Sequence, residues 1–486
     1  MPRDAGGPPP HGLARGAVGP ARVIAFGASN VAPAGAVVAG LVLLVSYAGF
    51  ASPLVVLIAF AASLCCASSI AEFARRLPSA GSLYTYNSRG LGQAGGFLTG
   101  WMMIFAYALY VPAAIALTST YASQLVASVL RVTVPAWMLF LVILAVVALV
   151  AYLGVRTSSA VDMVLVAGEV AVIAALAITV LVKASPAHYS AAIFSPASSP
   201  HGQLTDLTVA MIYGVTAFAG FEAAATLGEE ARHSRRAIPA GTFGVVAVTG
   251  AFYLLVIVAE MFGAGRAGIP DLLRQRNPLG YLASHYWSPS VLWTIQLVVV
   301  LTGLGFVVAA LNVTIRVLFA MGRERALPGA FARLSRRRTP VVAIGCVTLL
   351  ALGLGLPLTY LAGGAATFGY LAGAAGLALV LVYLAVNVAA IRAFRTEFRA
   401  EFRTGRHLLV PAAAAILFAF PLWGILHPQP HRLTGLLPFI AFGWLALGAI
   451  LAAVLRVRQP GRFAALGRVF AVKGSGSGAL KSPSEG

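Results

Sequence analysis

The chain has 486 residues, of which 59% are hydrophobic and only 10% are charged, and its mean hydropathy is +0.89. A soluble protein of this length carries roughly a quarter of charged residues, so this composition excludes a soluble enzyme and indicates a polytopic membrane protein. The formal net charge of +20 would suit nucleic-acid binding unless the basic residues follow a membrane topology.

Twelve apolar runs are each long enough to cross a bilayer, which takes roughly 20 residues. They lie at about 23–46, 51–71, 96–125, 135–154, 160–183, 207–229, 240–263, 291–320, 340–361, 366–391, 408–427 and 434–456. We therefore predict an all-α protein of twelve transmembrane helices. Residues 1–22 and 457–486 are predicted to be cytoplasmic tails, the first of them disordered.

The 34 basic residues are distributed unevenly between the connecting segments. With the N-terminus inside, 28 of them fall on cytoplasmic segments and 6 on the outer side. The positive-inside rule predicts this asymmetry, which accounts for the net charge without nucleic acid. We expect a multi-pass protein of the cytoplasmic (inner) membrane with both termini in the cytoplasm.

The first run has a weak point near its middle, where Ser29, Asn30, Pro33 and Gly35 lie close together. Pro33 has no backbone N–H and frees a carbonyl one turn earlier, which weakens the helix. Taken alone, this composition fits a kinked, tightly packed helix as well as a break that binds a solute.

The sixth run places Gly220 and the carboxylate of Glu222 at mid-depth. A charge inside hydrocarbon costs several kcal/mol on most scales, so Glu222 is expected to face protein or a water-filled cavity. A glycine among small residues lets a helix break where backbone groups can contact a solute.

Runs 1 and 6 each open a block of five runs, and we predict two five-helix repeats at 23–183 and 207–391, followed by two more helices at 408–456. Paired interruptions at corresponding positions of two halves favour a solute site over two unrelated kinks.

Three motifs resemble those of amino acid permeases of the amino acid–polyamine–organocation superfamily. Residues 72–86 (EFARRLPSAGSLYTY) are similar to the loop after the second helix of that family, and residues 220–239 (GFEAAATLGEEARHSRRAIP) to its sixth-helix signature. Residues 312–328 (NVTIRVLFAMGRERALP) resemble the end of its eighth helix. The resemblance extends over about 22–456 in order and spacing.

The resemblance implies a leucine-transporter-type fold of five plus five inverted helices with two additional C-terminal helices. It also implies alternating-access transport of amino acids or related amines. In the family, backbone amides of the broken helix 1 receive the substrate carboxylate, and carbonyls of the broken helix 6 receive the amino group. Here the corresponding substrate-binding candidates are Ser29, Asn30, Val31, Ala32, Ala34, Gly35, Thr216, Ala217, Phe218, Ala219 and Gly220.

Half-helix ends explain why such an arrangement would suit a zwitterion. A helix N-terminus presents unpaired amides and a positive dipole end, whereas a C-terminus presents carbonyls and a negative end. Helix 1 reads Ala-Pro-Ala-Gly where Gly-x-Gly is commoner in the family, and Pro33 has no amide to donate.

Glu222 and Glu169 are the acidic residues that fall well inside a predicted span. Glu222 resembles the family's gating or coupling carboxylate, with a structural hydrogen bond to helix 1 as the alternative. Some proton-coupled members carry a buried lysine on helix 5; this chain has Glu169 on that helix. A carboxylate kept from water can take up and release a proton, so Glu169 is a candidate coupling group, unless neighbouring hydroxyls merely cap it.

Aromatic residues near the predicted breaks are candidate gates over the substrate. Tyr107 and Tyr110 on helix 3 and Phe218 in helix 6 have this position, although simple packing would also explain them. Thr302 could help to bind sodium, but one hydroxyl is a weak sodium signature, and a coupling proton is expected instead.

The sequence therefore predicts a non-enzymatic transporter for amino acids, with neutral ones favoured by the small, apolar lining, and no cofactor or metal. No hydrolase, metalloprotease or phosphate-loop motif occurs in it. The alternatives are an amino acid or amine exchanger, a polyamine permease, a channel or a transporter-like sensor on the same fold. The sequence does not indicate an oligomeric state.

Overall fold

The computed structural model describes residues 20–77, 82–154, 159–229, 234–275, 277–337, 339–425 and 434–466. Most of the predicted tail 1–22 and of the tail 457–486 thus lies outside the described residues. The same holds for parts of two of the motifs, at 78–81 and 230–233. The described residues contain no strand, so the prediction of an all-α fold is confirmed.

Seventeen α-helices occur in the described part of the chain, joined by short 3₁₀ and π turns. They are α1 Pro20–Val31, α2 Pro33–Ala36, α3 Val42–Ala48, α4 Ser52–Arg76, α5 Ser82–Leu130, α6 Ala136–Leu153, α7 Ser159–Lys183, α8 Leu204–Phe218, α9 Ser234–Arg274, α10 Pro278–Tyr286, α11 Leu292–Arg323, α12 Val341–Leu350, α13 Leu356–Ala362, α14 Gly364–Thr396, α15 Val410–Ile425, α16 Leu437–Arg458 and α17 Pro460–Ala465.

Eleven helical segments of the described chain are long and apolar enough to cross a membrane, so the count of twelve is not confirmed. The predicted run 23–46 lacks such a segment, because α1 stops at Val31 and the chain continues through α2, a π turn and α3. Several of the other predicted runs have bounds within a few residues of the helical spans in the structure. The run predicted at 340–361, for example, corresponds to the span Val341–Ala362.

The spans differ in how much of their surface the rest of the protein covers. In the segment Leu204–Ala225, which contains α8, 94% of the most apolar 18-residue stretch is buried inside the protein. In Leu437–Arg458 the corresponding share is only 22%. In a bilayer, apolar side chains that face lipid need no protein cover, so poorly covered spans belong to the periphery. The α8 segment therefore lies in the centre, packed by α3, α4, α14 and α15.

A buried acidic residue organises the end of α4 that is predicted to be cytoplasmic. Glu72 is 5% exposed and forms ion pairs with Arg76 at 2.7 Å and Arg406 at 3.4 Å. The imidazole of His407 lies 3.2 Å from the same carboxylate and stacks on Phe394 at 3.9 Å. These contacts attach α4 to the segment between α14 and α15.

Candidate functional site

The chain is interrupted between α1 and α2 at Ala32, which has φ 49° and ψ 67° in the left-handed region. The following residue is Pro33, whose ring disfavours a right-handed helical conformation at the position before it. A left-handed residue reverses the helical twist, so the two helices cannot form one continuous rod. The predicted weak point is therefore a break, located at Ala32.

A second interruption follows α8, which ends at Phe218. Ala219 is extended with ψ 134°, and Gly220 has φ +106°, a conformation that side chains other than glycine rarely adopt. A 3₁₀ segment, Phe221–Glu229, then continues the chain. The Tyr253 hydroxyl donates to the carbonyl of Ala217 at 2.7 Å and thereby satisfies one of the carbonyls left open at this helix end.

The two interruptions are in direct contact. A Cβ atom added to Gly220 would lie 2.5 Å from the carbonyl oxygen of Asn30 and 3.1 Å from the amide nitrogen of Val31. These are backbone atoms of α1, so the two main chains approach each other as closely as the absence of a side chain permits. The bend in one helix is thus seated against the bend in the other.

The predicted substrate-binding residues surround this contact, and most of them are shielded from solvent. The fully buried ones are Val31, Ala32, Ala34, Ala217, Phe218, Ala219 and Gly220, and the half-buried ones are Ser29, Asn30, Gly35 and Thr216. Their assignment to substrate stays a prediction. Small side chains and bent backbone in this arrangement leave main-chain groups as the principal polar groups available to a solute.

The Glu222 carboxylate is held at the helix 6 break by three donors. The Tyr107 hydroxyl donates to Oε1, the Tyr383 hydroxyl donates to Oε2 at 2.8 Å, and the Gly220 amide donates to Oε2 at 3.1 Å. Glu222 is 2% exposed, so water does not compete for these bonds. Hydrogen bonds to a carboxylate are stronger than neutral ones, and this cluster fixes the bend between α5 and α14.

Tyr383 is a site residue that the sequence analysis did not identify. It lies on α14, 161 positions from Glu222, and it is fully buried. A tyrosine in an apolar span gives a weak signal, because its ring packs like a hydrophobic side chain while its hydroxyl needs a partner. Only the tertiary structure identifies that partner.

The predicted gating aromatics have different surroundings. The Phe218 ring packs between Phe60, with centroids 6.0 Å apart, and Tyr253, with centroids 5.1 Å apart. These contacts favour the packing interpretation for Phe218. The Tyr110 hydroxyl, by contrast, is buried with no hydrogen-bond partner among the described residues. The Thr216 hydroxyl lies beside it and donates to the Ile212 carbonyl at 2.9 Å, which leaves the lone pairs of its oxygen able to accept from Tyr110.

Glu169 on α7 forms part of a second polar group near the helix 1 break. It is 6% exposed and lies near Thr302 on α11, whose hydroxyl donates to the Val298 carbonyl at 2.8 Å. A Cβ atom at Gly35 would lie 3.0 Å from Cγ2 of the same threonine. The helix that follows the break, α7 and α11 therefore meet at this point.

Comparison with protein families and curated proteins identifies relatives over most of the chain. The family model described as "Amino acid permease" matches residues 22–427. The chain is 24% identical over 425 residues to the methylthioribose transporter of Bacillus subtilis, an alignment that covers 82% of this chain and 85% of that protein. It is 27% identical over 317 residues to the low-affinity putrescine importer PlaP of Escherichia coli, covering 61% and 66%. It is 24% identical over 415 residues to the branched-chain amino acid permease BcaP of Lactococcus lactis, covering 78% and 83%.

Solved structures with the same architecture include the manganese transporter of Eremococcus coleocola. A mutant of that protein superimposes with a TM-score of 0.58 at 12% identity and covers 92% of this chain and 94% of its own. Its complex with an aromatic bis-isothiourea compound gives 0.58 at 13% identity, with the same coverage. At such low identity the likeness shows the fold alone, which is that of leucine-transporter-type carriers.

Proposed function

Because the chain belongs to the amino acid permease family, we propose that it is a secondary active transporter that carries an amino acid by alternating access. Its family and relatives are transporters, so it is not an enzyme. The substrate, the coupling ion and the transport mechanism are parts of this proposal.

The observation that carries the proposal is the contact between the breaks at Ala32 and Gly220. Half-helix ends there would offer amides to a carboxylate and carbonyls to an ammonium group. Small residues on both sides leave the main chain accessible to a solute.

Neutral amino acids are the favoured substrates. The Glu222 carboxylate already accepts three hydrogen bonds from the protein itself, which makes it a poorer partner for the second ammonium group of a diamine than a carboxylate without such donors. The surrounding predicted site residues are mostly apolar and small. A lining of this kind suits an aliphatic side chain better than a charged one.

A diamine or polyamine is the alternative substrate. Among the described residues, the fully buried side chains include several glutamates but no lysine or arginine. This excess of buried acidic groups would suit a cationic solute. The Escherichia coli relative is a putrescine importer, which is consistent with that alternative. Exchange of amino acids or amines is a further alternative to net import.

We place the transporter in the cytoplasmic membrane with both termini inside, as the charge distribution favours. The proposed repeats, 23–183 and 207–391, are supported by one common feature: each begins with an interrupted helix. The helices in 408–456 would then be additional to the core of ten.

Counterflow into proteoliposomes tests the proposed function. Purified protein is reconstituted into vesicles preloaded with unlabelled leucine, and uptake of external labelled leucine, alanine, arginine or putrescine is measured. We expect saturable, preload-stimulated uptake of a neutral amino acid. A larger response to putrescine would favour a diamine over a neutral amino acid as the substrate. Flux without saturation would indicate a channel, and binding without flux would indicate a sensor.

Proton coupling is assigned to Glu169, and Glu169→Gln tests it. Glutamine keeps the size and polarity of the side chain beside Thr302 but cannot release a proton at neutral pH. We expect uptake driven by an imposed pH gradient to fall at least tenfold, while counterflow, which needs no net proton movement, stays within about twofold. Asp271→Asn, at an exposed residue, is the control. Gradient-driven uptake that is unchanged by Glu169→Gln would refute the assignment.

A further inference from the structure

A buried asparagine on α14, Asn387, hydrogen-bonds with both halves of its side-chain amide. Its Oδ1 atom accepts from the Ser69 hydroxyl on α4 at 2.7 Å, and its Nδ2 atom donates to the Tyr383 carbonyl at 2.7 Å. Asn387 and Ser69 are both buried, and a polar group inside a membrane span is unfavourable without partners. The carbonyl beside Nδ2 also fixes which way the amide points, because a reversed amide would bring two oxygens together.

The asparagine is one helical turn away from the tyrosine that holds Glu222. Tyr383 precedes Asn387 by four residues, so both side chains lie on the same face of α14. The Tyr383 hydroxyl donates to Oε2 of Glu222 at 2.8 Å, and the Gly220 amide donates to the same oxygen at 3.1 Å. A continuous series of hydrogen bonds and chain atoms therefore leads from Ser69 on α4 to the helix 6 break.

This series joins two helices that pack mainly on different neighbours. The principal packing partner of α4 is α9, and that of α14 is α5. Further along both helices, Phe73 of α4 lies against Phe394 of α14 with ring centroids 6.2 Å apart. Such an apolar contact is not directional, whereas a hydrogen bond requires a narrow range of distance and angle. Hydrogen bonds and close packing set the relative position of helices in a membrane, so Ser69 and Asn387 define how α4 and α14 lie together.

We propose that Asn387 is a positioning residue for transport. By joining Ser69 to the Tyr383 carbonyl, it holds the Tyr383 hydroxyl on Glu222 and keeps the helix 6 break in the shape that binds the solute. Asn387 acts through Tyr383 and does not contact the solute itself. The effect on the solute rests on the proposed transport function, whereas the link between α4 and α14 does not.

Uptake kinetics test this role with leucine, or with alanine, arginine or putrescine where that solute gives the larger counterflow. Asn387→Leu removes both hydrogen bonds and keeps a side chain of similar size. We expect the KM to rise about fivefold, the effect of losing one hydrogen bond, while the maximal rate stays within about twofold. An unchanged KM would overturn the proposal.

A double variant separates positioning from stability. Ser69→Ala leaves the buried Oδ1 atom of Asn387 without its donor, so the melting temperature should fall. Adding Asn387→Leu replaces both partners by apolar groups and should restore most of the melting temperature, while the KM stays about fivefold raised. A KM that recovers together with the melting temperature would show a purely structural role. Ser69→Ala alone also tests the bond where Asn387→Leu does not fold.

The tyrosine through which Asn387 acts provides a second cycle. In a Tyr383→Phe background the hydroxyl is absent, so adding Asn387→Leu should change the KM by less than about twofold. Effects that multiply in the double variant would show that the asparagine acts by another route and would overturn the proposal.

Gln296→Leu is the matched control, because it removes a buried amide from a different helix contact. Gln296 on α11 is 5% exposed and accepts from the Ser128 hydroxyl on α5 at 2.8 Å. The KM of this variant should equal that of the wild type. A KM raised as much as by Asn387→Leu would mean that loss of any buried amide has this effect, contrary to the proposal.

A native cysteine tests the helix link without a solute. Cys66 is buried and lies three residues before Ser69, on the same face of α4. In a Cys65→Ala, Cys346→Ala background, Asn387→Leu should speed labelling of Cys66 by N-ethylmaleimide about fivefold, and Gln296→Leu should not. An unchanged rate with Asn387→Leu would overturn the link. Faster labelling in a protein that transports none of the solutes tested would refute the proposed function and leave the link in place.

Discussion

Gly220→Ala is expected to reduce uptake by more than a hundredfold while the protein still inserts into the membrane. The new Cβ would lie 2.5 Å from the carbonyl oxygen of Asn30, and a backbone atom cannot be moved aside like a flexible side chain. The left-handed conformation adds a cost of about 1–2 kcal/mol for a residue other than glycine. Both effects force the two breaks apart, and counterflow of the preferred amino acid measures the result.

Gly345→Ala is the matched control for this substitution. Gly345 lies within α12, and a Cβ atom there would meet nothing within 4 Å. Alanine has the higher helix propensity, so the variant should transport normally and unfold at an equal or slightly higher temperature. Gly220→Ala uptake equal to that of Gly345→Ala would show that the close approach of the breaks is not needed for transport.

Glu222→Ala is expected to destabilise the protein strongly. It removes the acceptor of the Tyr107 and Tyr383 hydroxyls and of the Gly220 amide, all of them buried. A buried donor without an acceptor costs about 1–3 kcal/mol, so the loss should exceed 3 kcal/mol when the three are added. Thermal unfolding of purified protein, followed by intrinsic fluorescence, measures this loss.

Graded variants distinguish the cluster from a single strong bond. Tyr383→Phe should lower the melting temperature less than Glu222→Ala, because it deletes one donor and leaves the carboxylate two others. Glu397→Ala, which removes an exposed carboxylate paired with Arg89, should have almost no effect. Equal melting temperatures for Glu222→Ala and Glu397→Ala would contradict the account of the cluster.

The broad architecture could be predicted because membrane spans depend on composition and length. The apolar runs predicted the bounds of α7 and of the span Val341–Ala362 to within one residue. Local backbone chemistry also indicated weak points at both interruptions, since Pro33 lacks a backbone N–H and Gly220 lies among small residues that let a helix break. The count of twelve spans was not confirmed, because the same interruption divides the first run into short helices.

The partners of the site residues could not be predicted in this way. Tyr383, for example, meets Glu222 across 161 positions. Hydropathy treats all tyrosines in a span alike, and no periodicity tells which hydroxyl faces a carboxylate. Such pairs depend on how helices are arranged in three dimensions, and a single sequence carries no direct record of that arrangement.

The position of a bound solute tests the central claim most directly. A cryo-electron microscopy map of the protein in lipid nanodiscs, with the amino acid that gives the largest counterflow, would locate it. We predict density between Ala32–Gly35 and Thr216–Gly220, with the carboxylate towards helix 1 and the ammonium group towards helix 6. Density for the solute elsewhere in the bundle, with the two breaks still in contact and empty, would contradict the account.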